Sequence, residues 1–162
     1  MALIRLALVI VLSLAFTPLA AQDFDKGFDA YSAGDYQTAL REWRPLADRG
    51  ESYVQFNMGT MYEAGQGVPQ DYAEAEKWYR LAADQGYAKA QNNLGVMYED
   101  GNGVLQDNVM AHMWYNIASA NGNSKAGEWR DEIAGQMTNA DISKAQAMAR
   151  ECMSSGYEKC GY

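Results

Sequence analysis

Histidine occurs once in this sequence, at position 112, and cysteine only twice, at positions 152 and 160. A metal site needs several ligands, and His112 has no second imidazole to work with. A histidine-based catalytic dyad is equally unsupported, so His112 reads as an ordinary helix-surface residue and neither metal nor other cofactor is expected. Basic residues are also scarce, with 13 Lys and Arg against 21 Asp and Glu. No basic stripe is present to follow a phosphate backbone or to dock on anionic lipid. Nucleic acid and membrane surfaces are thereby excluded as partners, and a basic partner suits the chain better. Nor is there an apolar run of the roughly 20 residues needed to span a bilayer.

The longest apolar stretch, Leu6 to Phe16, follows the cationic Arg5 and precedes Thr17-Pro18-Leu19-Ala20-Ala21. That is the three-part plan of a secretory signal peptide, with cleavage expected after Ala21. No cysteine lies near that junction to accept a lipid, so the product is expected to be soluble in the periplasm or outside the cell. Loss of residues 1–21 removes Arg5 and no acid, leaving 12 basic against 21 acidic residues, a net charge of 12 − 21 = −9. With export, the even cysteine count implies a disulfide between Cys152 and Cys160. A redox-active pair is the other reading, but the spacing is not that of a Cys-x-x-Cys motif. A clasp of this loop length contributes about 2–3 kcal/mol in the chain-entropy model.

The internal self-similarity is extensive. Shifting residues 51–86 by 36 positions onto 87–122 superposes Gln55 on Gln91, Gly59 on Gly95, Met61 on Met97 and Tyr62 on Tyr98. The same shift carries Gly65, Gly67, Val68, Asp71, Ala75 and Trp78 onto Gly101, Gly103, Val104, Asp107, Ala111 and Trp114. A shorter, cap-like copy occupies residues 22–50, where Asp35, Tyr36 and Ala39 keep the step and Trp43 falls opposite Tyr79. Residues 123–162 carry two amphipathic segments, one with Ala126, Trp129 and Ile133, the other with Ile142, Ala145, Ala149 and Cys152.

Each unit reads as two antiparallel helices. The spacing of Val54, Met58, Met61 and Tyr62 predicts a first helix over Ser52 to Ala64 with one apolar face, and Ala88 to Asp100 predicts its copy. Gly65 and Gly67 stand where the chain must turn, a task that favours residues tolerant of positive φ. Asp71 and Asp107 then open the second helices as N-caps, and Asp71-Tyr-Ala-Glu74 fits a capping box. Ala75, Trp78 and Ala82 face inward on that helix. Gly59 and Gly95 sit inside first helices, where glycine costs about 1 kcal/mol against alanine. Close approach of a neighbouring helix is the expected compensation. One such pair encloses too little surface to fold alone, so the units must stack.

The run Leu94-Gly95-x-x-Tyr98-x-x-Gly101-x-Gly103-Val104-x-x-Asp107-x-x-x-Ala111-x-x-Trp114, repeated from Met58-Gly59 to Trp78, resembles the Sel-like repeat family, relatives of the tetratricopeptide repeats. The resemblance implies an all-α fold, an α/α right-handed superhelix whose concave side binds segments of other proteins, with exported bacterial members acting as adaptors. Some cysteine-rich exported members, with a disulfide in each repeat, are linked to penicillin binding or β-lactamase activity. This chain has a single terminal pair, so that activity is not carried over.

The face of the first helices left over after packing carries Phe56, Thr60 and Glu63, then Asn92, Val96 and Glu99. Helical spacing groups each set into a groove of mixed apolar and acidic character, suited to a protein or peptide of basic character. The alternative is an envelope hydrolase or β-lactam-binding protein using acidic groove residues, since carboxylate pairs can hydrolyse sugars. Glu63 and Glu99 recur at the repeat period and are expected at a solvated rim, so no catalytic residue is assigned. The loop Asp100 to Asp107 lacks the ligand pattern of a calcium loop, and its glycines read as turn formers.

Overall fold

A computed structural model describes residues 24–161 of the chain; the signal segment read at residues 1–21 lies outside them. The described residues form eight helices and no strand: α1 (Phe24–Ser32), α2 (Tyr36–Asp48), α3 (Ser52–Ala64), α4 (Tyr72–Ala83), α5 (Ala88–Asp100), α6 (Asn108–Ala120), α7 (Ser124–Ala134) and α8 (Asn139–Ser154). Helices α1–α2, α3–α4 and α5–α6 pair as hairpins, and α2 packs on α3, α4 on α5 and α6 on α7. The architecture is an all-α helical repeat solenoid.

Local chemistry sets the helix ends. The Asp35 carboxylate accepts from the Thr38 N–H at 3.1 Å and Asp71 from Glu74 at 3.0 Å, while Asp107 accepts from Val109 and Met110. Each satisfies donors the helix itself leaves orphaned. The reciprocal half of the expected capping box is not made: the Asp71 N–H instead donates to the Tyr62 carbonyl, 3.0 Å away. Asp107 and Tyr98 repeat that bond at 2.9 Å, and Gln70 and Gln106 donate to the Glu63 and Glu99 carbonyls at 2.8 Å. Closing the turn this way takes priority over the box because it ties both helices of the hairpin together. Gly65 and Gly101 end α3 and α5 at φ +66° and +75°, a left-handed conformation that disfavours a Cβ.

The core follows the predicted faces. Val54, Met58, Met61, Ala75, Trp78 and Ala82 are buried, as are Leu94, Met97, Ala111, Trp114 and Ala118. Full burial of a side chain of the Met or Leu size contributes about 1.5–3 kcal/mol. Between units, a buried amide ladder recurs. Gln55 Nε2 donates to the Ala47 carbonyl at 3.0 Å and Gln91 Nε2 to Ala83 at 3.0 Å. Their side-chain oxygens accept in turn from Gln85 at 2.7 Å and Asn121 at 2.8 Å.

Helix α8 departs from the stack. It lies across α6 in place of pairing with α7, and its Ala145, Ala149 and Cys152 join the core cluster that holds Met110, Met113, Trp114 and Ile117. Thr138 caps it, accepting from the Asp141 N–H at 3.2 Å. The Cys152–Cys160 disulfide folds the tail back on this helix, and the Tyr157 hydroxyl meets Asn121 Nδ2 at 2.8 Å, at the end of the amide ladder.

Candidate functional site

The candidate groove is built on α3 and α5, and its residues gather around two tyrosines of the second helices. The Tyr79 ring crosses α3 at Gly59, where a Cβ would stand 2.5 Å from ring carbons, and Tyr115 crosses α5 at Gly95 at the same 2.5 Å. The glycines inside the first helices are thus explained by a ring lying on them. Trp43 rests on Gly27 in the same manner in the first unit, so it is the counterpart of the two tyrosines.

Beyond the glycine, each hydroxyl reaches a glutamate of the same first helix. Tyr79 donates to the Glu63 carboxylate, and its hydroxyl lies 3.3 Å from Thr60 Oγ1. Asn93, from α5, lies near the same hydroxyl. Tyr115 donates to Glu99 at 2.6 Å. Burial, and after it the bond to the carboxylate, pushes both phenols well above their ordinary range, so they stay protonated donors. Phe56 packs its ring 5.8 Å from Tyr79 and 5.3 Å from Tyr87.

Thr60 and Glu63 therefore meet at one tyrosine with Phe56 beside them. Val96 packs on the cluster that contains Tyr115, whose hydroxyl Glu99 holds. Asn92 does not share the surface with them; it is buried, with its Oδ1 unpartnered among the described residues. The expected solvated rim for Glu63 and Glu99 also needs correction. Both are half-buried, because a hydrogen-bonded tyrosine leans on each. An acid–base pair would need two carboxylates facing one substrate, whereas each of these is engaged by the tyrosine of its own unit.

His112 is likewise not a surface residue, being 2% exposed. Helix α6 is enclosed by α5, α7 and α8, which leaves it little open surface. No group of three or more metal-ligating side chains occurs among the described residues.

Sequence reasoning passed over Tyr79, Tyr115, Gln55 and Gln91 as site and ladder residues. All four recur at the 36-residue step, and the unfavourable glycine opposite each tyrosine was the available signal.

Comparison with known proteins agrees with this fold. The Sel1 repeat family model matches residues 52–87 and 88–123. Among curated proteins, no sequence matches the chain. One similar solved structure is c5321, a protective antigen present in uropathogenic Escherichia coli strains that displays an SLR fold; it is 29% identical over 81% of this chain and 30% of that chain, with a TM-score of 0.76. A Sel1 repeat protein from Oxalobacter formigenes is 33% identical over 67% of this chain and 44% of that chain, with a TM-score of 0.64. The chain spans less than half the length of either.

Proposed function

We propose, from the premise that the chain belongs to the Sel-like repeat family, that it is an exported, non-catalytic adaptor that binds a protein or peptide segment on the concave groove of α3 and α5. The family implies a protein–protein interaction scaffold in general. What supports the finer reading is the recurrence of one device: two glycines let two tyrosines lie across the first helices and fix Glu63 and Glu99 at equivalent places. Fixed carboxylates beside Phe56 and Val96 offer a cationic, partly apolar segment a preorganised surface, which lowers the ordering cost of binding. In this reading residues 22–50 and 123–162 are the two ends of the array around the units 51–86 and 87–122.

Export is supported by the buried Cys152–Cys160 disulfide, which belongs to oxidising compartments. No helix among the described residues is long and apolar enough to cross a membrane.

Affinity capture from envelope extract tests the groove, comparing the wild type with Phe56→Lys and Val96→Lys at unchanged urea midpoints. The captured set should be lost from the variants; identical capture would rule the groove out. Glu63→Gln with Glu99→Gln separates a binder from a hydrolase. A binder loses part of its affinity, and a hydrolase loses turnover.

A further inference from the structure

The polar node joining each second helix to the helix after it changes from one junction to the next. Between α4 and α5, the half-buried Glu76 and Arg80 form an ion pair, and Arg80 also donates to the Tyr98 hydroxyl at 3.1 Å. Thirty-six residues earlier, between α2 and α3, the equivalent positions hold Leu40, Arg44 and Tyr62. Leucine stands where the Glu76 carboxylate would be. Arg44 Nε bonds Asp48 on its own helix at 3.1 Å, and among the described residues no arginine donates to the Tyr62 hydroxyl as Arg80 does to Tyr98.

The junction is consequently open. A notch of about 310 Å³ remains, with Leu40, Met58 and Val68 as apolar surface and Arg41, Arg44 and Tyr62 as polar groups. The Arg44 guanidinium carbon lies 5.0 Å from the centre of the Trp78 ring, which orients its planar fork. Arg41 bonds Thr38 Oγ1 at 3.3 Å and lies 3.5 Å from Glu42, itself held by Lys26 at 2.7 Å. Around the notch the cations Lys26, Arg41 and Arg44 are set among the carboxylates Glu42, Asp48 and, beside Arg41, Asp35.

We propose that this notch binds a carboxylate carried on an aliphatic stem, the carboxylate bonding Arg44 and Tyr62 in the position Glu76 takes at the next junction. A guanidinium favours bidentate pairing with a carboxylate, and the apolar surface accommodates the stem. The C-terminal residue of a peptide and a free short aliphatic acid share this chemistry. The site uses none of the groove residues on α3 and α5, so it stands or falls independently of the adaptor reading.

The purified full-length protein is titrated with N-acetyl-leucine, N-acetyl-leucinamide and hexanoate, followed by heteronuclear NMR. Saturable shifts of the Arg44 Nε–H and the Val68 amide are expected with N-acetyl-leucine and not with its amide. Hexanoate acting equally assigns the aliphatic acid as sufficient; hexanoate failing assigns the peptide terminus, and either upholds the site. Arg44→Gln should weaken binding at least about tenfold. Leu40→Glu supplies the internal carboxylate and should abolish binding while the urea midpoint stays level or rises. The proposal is overturned by equal binding of acid and amide, by wild-type affinity in Leu40→Glu, or by absence of a saturable shift.

Discussion

The ring of Tyr115 lies on the backbone of Gly95, so close that a Cβ there would stand 2.5 Å from two ring carbons. This contact lets a second helix press against a first helix and carries the hydroxyl through to Glu99. Helix packing and the hydrogen bond to Glu99 meet in that one pair.

Gly95→Ala should therefore destabilise the protein although alanine is the better helix former. Propensity favours the variant by about 1 kcal/mol, but overpacking costs about 1–3 kcal/mol. A net loss of about 1 kcal/mol is expected as a lower urea midpoint. A midpoint equal to or above the wild type would show that the ring moves aside freely.

Replacing Gln91 by leucine removes a buried donor to Ala83 and a buried acceptor from Asn121. Leaving the buried Ala83 carbonyl without this donor should cost about 1–3 kcal/mol, while Asn121 keeps Tyr157 and solvent. In a double-mutant cycle with Asn121→Ala, the two losses should fall short of additivity by at least about 0.5 kcal/mol. Strict additivity would mean that the ladder is not coupled.

Burial first, and then the Arg130 cation, hold the His112 imidazole below its ordinary value of 6.5. The unfolded chain takes up this proton near pH 6.5, and the folded chain takes it only at lower pH. Unfolding then binds protons, so this contribution to stability is complete above about pH 6.5 and is lost on acidification below it. Urea midpoints from pH 8 to 5 should fall more steeply for the wild type than for His112→Gln. Parallel curves would refute the assignment.

Reducing the Cys152–Cys160 disulfide, or replacing both cysteines by serine, should cost about 2–3 kcal/mol. The tail should then release Asn121 from Tyr157. Hydrogen exchange should quicken in α8 and at the α6 end, leaving α3 and α4 protected. Uniform loss of protection would instead mean that the clasp holds the whole array.

Much of this is readable in the sequence. The bounds of α3 and α5 coincide with the spans from Ser52 to Ala64 and from Ala88 to Asp100, because an apolar stripe and a following glycine act within a few residues. Asp71 and Asp107 were legible as caps for the same reason. The site was legible only as a set of outward positions. Asn92 belongs to that set by periodicity yet is buried, and Glu63 and Glu99 belong to it yet lie half-buried under tyrosines.

By itself, the sequence determined the repeating unit, its two helices and their turns, since period, caps and positive-φ glycines are short-range effects encoded in neighbouring residues. Only the tertiary structure decided that α8 turns back across α6, that His112 is enclosed, and that Arg44 pairs with Asp48 where Arg80 pairs with Glu76. Those outcomes depend on which side chains from distant segments fill the same volume, and close packing resolves that choice only when all the segments are present.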